Sequence, residues 1–375
     1  MGETGRLMGI SSALGSSALL PAGLGFRNLI QNGNMVIDQR SIASSPITNI
    51  AASSTTALDR WNFYGSLAKM TMTQSTDVPS ADVFTKSLKI TTAASTFTPS
   101  AGDYYGVRQV IEGQNFAVAG YGTSAAKPLV LSFWVKCSTT GTFSVSLFNR
   151  EAPDRSYVAT YTINSTNTWE KKVIYIQSGD TSGTWLTTNG IGLQLWWDLG
   201  SGSSQNATAG IWNSSLKVNT SLQPNFAGTN AGTFYLTGVQ LEQNLQPTPF
   251  EQRPIGIELA LCQRYFWSLT TRGQGQIMGA QVSAYGNACY LNISNLNPVP
   301  MRIAPTPQTD PSYPIGTYTP FVTDFNSNLR TITAINLSSP YMIQFVYNST
   351  QLTANSSMGL NFADANRTLW LSAEL

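Results

Sequence analysis

Across residues 87–242 the chain is a succession of short segments in which apolar and polar side chains alternate, each bounded by clusters of Gly, Ser, Asn and Thr. Period-two alternation marks half-buried strands, whereas a helix would need apolar residues every three or four positions. Strands are expected at 87–92, 105–112, 129–136, 142–149, 157–163, 169–176, 190–199 and 234–242. Eight strands separated by turn signals, with almost no helical periodicity between them, argue for an all-β antiparallel jelly-roll sandwich.

The alternation also assigns faces. Leu131, Phe133 and Val135 share one side of their strand, as do Phe143, Val145 and Leu147 on the next and Leu193, Leu195 and Trp197 on a later one. These nine are the expected core. The opposite sides carry Trp134 and Lys136, then Phe148 and Arg150, then Gln194, Trp196 and Asp198. Rings beside amides and charges suit a sugar, because a ring face stacks on the apolar side of a pyranose while polar groups bond its hydroxyls. The same aromatics could instead be buried against another subunit or a long loop.

The stretch 234–267 divides the chain. A strand at 234–242 leads into 243–252, where Pro247 and Pro249 interrupt any periodicity. Pro254 then suits a first helical position, and Ile255, Leu259, Cys262 and Phe266 form one apolar stripe of a short helix. Ile257, Leu261 and Tyr265 lie on an adjoining face, and two apolar faces imply two partners: a second β domain and a neighbouring subunit. Candidate strands at 277–296, 331–338, 342–349 and 368–375, around a proline-rich 297–320, describe that smaller C-terminal β domain. The expected organisation is an anchoring arm at 1–25, the jelly roll at 26–250, and a linker helix with the C-terminal domain at 251–375. In the jelly roll's first part, 26–40 reads as two short runs around a turn or bulge at Asn32 and Gly33, 41–56 as loop, and 58–66 as a return to structure.

Only 11% of the 375 residues are charged, the net charge is +2, and no block of like charges occurs. A nucleic-acid footprint is therefore absent. Leu7 to Gly25 is nearly uncharged, but its serines, glycines and Pro21 make it too polar for a signal peptide or membrane span, so no membrane insertion is expected. The arm is expected to be held by a neighbouring copy or a larger assembly. Cys137, Cys262 and Cys289 are far apart in apolar surroundings and read as buried free thiols.

Histidine is absent, which removes the commonest general base and the commonest transition-metal ligand. The motifs of P-loop, zincin and α/β-hydrolase chemistry are missing too. Glycoside hydrolysis needs only two carboxylates, for which Glu112, Glu170 and Asp198 are the thin candidates; no catalytic residue, cofactor or metal site is expected. A structural calcium ion in a loop such as 178–183 is the one exception entertained.

The segments 22-AGLGFRNLIQNGNMVIDQR-40, 59-DRW-61, 131-LSFWVK-136, 181-TSGTW-185, 237-TGVQLE-242 and 249-PFEQRPIGIELALCQRYF-266, in that order, resemble tailed-bacteriophage virion proteins, notably tail-fibre and related appendage proteins. The segment 300-PMRIAPTP-307 is similar as well. The resemblance implies a carbohydrate-binding-module-like jelly roll, usually trimeric, carried on the virion and used to attach to host surface glycans, and it supplies no catalytic residue. The lack of a shaft and the brief arm suit a small appendage or a capsid-decorating or connector protein equally well.

Overall fold

The computed structural model describes residues 26–149, 155–270, 277–285, 288–294, 299–303, 306–308, 321–324, 329–339, 342–348, 357–361 and 368–374. Residues 1–25, expected to form an anchoring arm, and Arg150 lie outside them.

Thirteen strands precede the helix at 255–263: β1 (Ile47–Thr48), β2 (Ser53–Thr56), β3 (Trp61–Gly65), β4 (Met70–Ser75), β5 (Ser87–Thr92), β6 (Tyr105–Glu112), β7 (Leu129–Cys137), β8 (Gly141–Phe148), β9 (Ser156–Ile163), β10 (Glu170–Ile176), β11 (Ile191–Asp198), β12 (Trp212–Asn213) and β13 (Thr233–Glu242). A single helical turn, α1 (Gly113–Phe116), follows β6. The strands form two antiparallel sheets, ordered β1-β4-β5-β13-β7-β10 and β12-β9-β8-β11-β6-β3-β2. From β9 to β11 and on to β13 the chain crosses repeatedly between the sheets, as a jelly roll requires. All eight expected strands are present, displaced by at most a residue or so at their ends. All nine expected core residues are fully buried between the sheets.

Two expectations fail in the first part of the jelly roll, and one strand is added. Residues 41–56 are not all loop, since β1 and β2 lie there as short outer strands. β4, whose Met and Thr alternate, was not expected. Residues 26–40 form neither strand nor hairpin. Their backbone bonds partly to β13, through Leu29 N to Leu241 O and Val239 N to Gly33 O, both at 2.9 Å, and partly to side chains: Ile37 N donates to the Asn32 amide oxygen at 2.9 Å and Gln31 N to Gln109 Oε1 at 2.9 Å. Ile30, Met35 and Ile42 then insert into the sandwich core.

After β13 comes the second helix, α2 (Ile255–Gln263). Pro254 precedes the first turn rather than filling it, and its carbonyl accepts from Ile257 N and Glu258 N. Beyond α2 lie β14 (Phe266–Thr270), β15 (Ile277–Tyr285), β16 (Ala288–Ser294), β17 (Thr306–Gln308), β18 (Phe321–Asp324), β19 (Leu329–Ser339), β20 (Met342–Asn348), β21 (Ser357–Asn361) and β22 (Thr368–Ser372). Six of these close into a barrel in the order β15-β16-β20-β19-β18-β21, and β14, β22 and β17 make a separate small sheet. The fold is thus an all-β jelly-roll sandwich followed by a short helix and a further β assembly.

The joint between sandwich and helix is polar and buried. The Glu251 carboxylate accepts from Arg27 N and Asn28 N, both at 3.0 Å, and the Asn28 side chain spans Val239 O and Leu241 N on β13. Arg253 donates to Ile30 O at 3.0 Å and pairs with Glu258, which also accepts from Asn32 N. Arg40 lies 3.4 Å from the Phe266 ring centroid and Arg60 3.4 Å from that of Tyr265, while both cations pair with Glu374 near the C-terminus. Segments far apart in sequence, around 28–40, 59–61, 239–242 and 251–266, meet here.

Candidate functional site

The expected glycan-binding residues do not share a surface. Trp134 and Lys136 project from β7 on the outside of the six-stranded sheet, whereas Phe148, Gln194, Trp196 and Asp198 project from β8 and β11 on the outside of the seven-stranded sheet. Two packed sheets, about 10 Å apart, separate the groups. Alternation assigns a side chain to one face of its own strand and says nothing about which sheet that strand joins.

On the six-stranded side the polar partners are supplied by the segment between β4 and β5. Lys136 pairs with Asp77, and its ammonium stands 4.5 Å from the Tyr235 ring centroid and 5.6 Å from that of Trp169. The Trp169 indole donates to Asp77 at 2.9 Å, and that of Trp134 to Asp82 at 3.3 Å. Burial pushes the Asp77 carboxyl up, but Lys136 and Trp169 outweigh it and hold it below its ordinary value. These groups already bind one another.

The seven-stranded side carries a cleft of about 240 Å³ lined by Tyr64, Tyr104, Arg108, Phe148, Trp196, Leu216 and Val218. Tyr64 comes from β3, Arg108 from β6, Trp196 from β11 and Phe148 from β8, so the four neighbouring strands form its floor. Leu216 and Val218 come from the long connection between β12 and β13 and form its wall. Trp196, Phe148 and Val218 pack as a small apolar cluster separate from the main core. Trp196 is 4% and Phe148 3% exposed, so the chain's own connection covers them. Trp196 lies flat against β6 because Gly106 is there: a Cβ at that position would stand 2.3 Å from the indole.

The ring centroids of Tyr64, Tyr104 and Trp196 are 6.2–6.3 Å apart, with planes inclined at 50–89°. The Arg108 guanidinium is oriented by Gln194 Oε1 at 2.8 Å and Ser54 Oγ at 2.9 Å. Orientation by fixed neighbours reduces the entropy lost when a ligand hydrogen bond forms. The cleft thus combines the partly exposed rings of Tyr64 and Tyr104, backed by the buried Trp196, with the oriented Arg108 guanidinium.

Asp198 does not face a ligand. Its carboxylate accepts from Gly200 N at 2.8 Å, Ser201 N at 2.9 Å, the Ser201 hydroxyl and the Trp196 indole at 3.1 Å. Burial raises it to about 6 against those hydrogen bonds. It positions Trp196 and the start of the next connection. Nor do the candidate acids converge. Gly106 pairs with Asp198 and Glu112 with Ile191 at the other end of the same strand pair, about 20 Å away at 3.4 Å per residue. Glycosidase carboxylates stand roughly 5–9.5 Å apart. Glu170 is on the other sheet, paired with Lys172. In the loop 178–183 the one carboxylate, Asp180, is clamped by Arg155 at 2.7 and 3.0 Å. Among the described residues no cluster of three potential metal ligands occurs.

The expected assembly residues separate as well. Tyr265 is fully buried within the chain, bonded to Glu112 at 2.7 Å and stacked under Arg60, so it belongs to the joint and not to an intersubunit face. Leu261 is half-buried, while Ile257 is 41% and Ile255 61% exposed. The stripe through Ile255, Leu259, Cys262 and Phe266 is buried only at its end, because α2 turns Glu258 and Cys262 inward. Cys137 and Cys262 are buried free thiols; Cys289 lies on β16, whose side chains are outside the described residues. No helix among the described residues is long and apolar enough to cross a membrane.

Five lining residues, Tyr64, Tyr104, Arg108, Leu216 and Val218, are not among the sequence candidates. For Tyr64 and Arg108 a signal existed: Trp61 and Phe63 alternate with Asn62 and Tyr64, and Val107 and Gln109 with Arg108. For Leu216 and Val218 there was none, since they lie in an irregular connection.

No protein-family model and no curated protein matches the sequence. Among solved structures, the chain is similar to the enzymatically active domain of bacteriophage CBA120 tailspike protein 4, at 15% identity and a TM-score of 0.30 over 58% of this chain. It spans about a fifth of that tailspike chain, 21%. It is also similar to the xylan-binding CBM22-2 domain of Paenibacillus barcinonensis Xyn10C, at 16% identity and a TM-score of 0.29 over 49% of this chain and 92% of that one. A third is a family 11 carbohydrate-binding module of Clostridium thermocellum solved with a mixed-linked tetrasaccharide, at 13% identity and a TM-score of 0.27 over 54% of this chain and 98% of that one.

Proposed function

We propose that this protein is a non-enzymatic component of a bacteriophage virion, a tail-fibre or related appendage that binds glycans on the host surface during adsorption. The observation that carries the reading is the cleft of Tyr64, Tyr104, Arg108 and Trp196 on the outer face of the seven-stranded sheet. Such a mixture of ring surface and oriented donor favours a ligand that is apolar on one side and hydroxylated on the other. The phage setting is supported by the ordered sequence segments that resemble virion proteins, and with it go the virion location and the homotrimer. The arm at 1–25 would attach the protein to other virion components.

The test is retention on a glycan array by the intact protein, repeated with Tyr104→Ala and Arg108→Ala. Both substitutions should abolish or sharply weaken the signal. Retention of no glycan, or of the same glycans by both variants, would refute the reading.

A second, purely architectural reading is favoured by Ile255 and Ile257, two exposed aliphatic side chains on one short helix. In that reading the protein decorates a capsid or connects virion parts, with α2 against a neighbouring copy. Ile255→Asp with Ile257→Asp should then lower the sedimentation coefficient of the oligomer without changing the far-ultraviolet circular dichroism. An unchanged sedimentation profile would remove α2 as the contact.

A further inference from the structure

We infer that the cleft recognises one pyranose unit at the end or branch of a glycan, and not the interior of a polysaccharide chain. This rests on the glycan-binding reading and adds the mode of recognition to it. Three observations converge.

The first is size. The cleft holds about 240 Å³, below the roughly 300 Å³ at which pockets for drug-sized ligands begin and equivalent to about eight waters at ~30 Å³ each. One ring with its hydroxyls fits such a space.

The second is the arrangement of the rings. A polysaccharide chain lying across a sheet would call for ring faces set side by side in nearly one plane. Here the rings of Tyr64, Tyr104 and Trp196 meet at 50°, 82° and 89° with centroids 6.2–6.3 Å apart. They make a corner. Trp196 is buried beneath the other two, and a ligand ring that stacks on Tyr64 or Tyr104 meets the edge of the other, which stops it from extending across the sheet.

The third is the wall. Leu216 and Val218 line the cleft and pack with Trp196 and Phe148 in one apolar cluster. The connection that carries them is tied to the sheet, where Lys217 N donates to Ser156 Oγ at 3.1 Å and Thr220 N to Ser144 Oγ at 3.2 Å, and to the bend after β11, where Asn219 Nδ2 donates to Ser201 O at 2.8 Å. A wall bonded at three points does not swing aside for a continuing chain. A second depression, whose lining includes Thr160, Asn206, Thr208, Thr220 and Ser221, has no aromatic ring.

The experiment takes the saccharide best retained on a glycan array and measures its affinity for the intact protein by calorimetry as mono-, di-, tri- and tetrasaccharide. The series is repeated with the recognised unit capped so that it is internal. The expected result is an affinity constant within about threefold across the series, and a loss of at least tenfold when the unit is internal. An affinity that climbs tenfold or more with the second and third ring, or internal binding as tight as terminal, would overturn the inference while leaving glycan binding intact. Binding that survives Tyr104→Ala unchanged would place the sugar elsewhere and overturn it too. Retention of no saccharide would instead sink the glycan-binding reading itself. Leu216→Ala supplies a variant that leaves the sheet untouched: lowering the wall should raise the affinity for the internally placed unit at least threefold, and no gain would count against the wall's role.

Discussion

Replacing Glu112 tests the buried joint most sharply. The Glu112 carboxylate is almost fully enclosed and accepts three hydrogen bonds: Arg264 Nε at 3.0 Å, Arg264 Nη2 at 2.7 Å and Tyr265 Oη at 2.7 Å. Glu112→Ala would leave a guanidinium and a phenol without their acceptor. Breaking a buried pair costs about 3–5 kcal/mol. Because the Arg264 side chain keeps 31% of its surface in water and can rehydrate in part, the low end applies, about 3 kcal/mol. Tyr265→Phe removes one bond to a charged acceptor and should cost about 1.5 kcal/mol. The assay is urea unfolding of the full chain followed by tryptophan fluorescence, with the slope unchanged and the midpoint lowered. A loss below about 1 kcal/mol for Glu112→Ala, the level of an exposed ion pair, would refute the view that this pair holds helix to sandwich. The pH dependence follows from the same geometry. Burial pushes the Glu112 carboxyl up, but the Arg264 and Tyr265 bonds outweigh it and hold it below 4.5. The unfolded chain therefore binds the proton more readily, so this contribution is fully present above pH 4.5 and is lost as pH falls through the lower folded value.

Two further perturbations address the cleft floor. Gly106→Ala would put a methyl group 2.3 Å from the Trp196 indole, so overpacking should cost about 1–3 kcal/mol in the same unfolding assay, and wild-type stability would show that the ring is free to move. Asp198 has the opposite sign from Glu112, since burial raises it from 3.8 to about 6. The folded state binds the proton more readily, so this group's contribution to stability falls as pH rises from about 4 to 6. A fluorescence change from Trp196 with a midpoint near 6 should appear in the wild type and vanish in Asp198→Asn; a transition that persists in the variant would assign it to another group, Asp59 being the other carboxyl raised to about 6.

The parts of the fold legible in the sequence are those set by neighbouring residues. Alternation located β5 to β11 and β13 and placed Phe133, Leu195 and Trp197 in the core, because a strand buried on one face must repeat every second residue. Pairing order was not legible. Trp134 and Trp196 occupy equivalent positions in their strands yet end on opposite sides of the molecule, since β7 pairs with β13 and β10 while β11 pairs with β6 and β8. The segments around Asn28, Asp59, Glu251 and Arg253 resemble virion proteins, and their contacts show a local reason for these residue types: their side chains bond backbone groups of residues 27–39, which form no strand. Only the folded chain brings them together.

The most direct measurement of the central claim is the affinity of the intact protein for its best-retained glycan, compared with that of Tyr104→Ala. Loss of one stacking surface of about 1.4 kcal/mol corresponds to a tenfold weaker complex. A drop of tenfold or more, with the far-ultraviolet circular dichroism unchanged, is the result predicted; equal affinity in the variant, or no glycan bound by the wild type, would contradict the cleft's assignment.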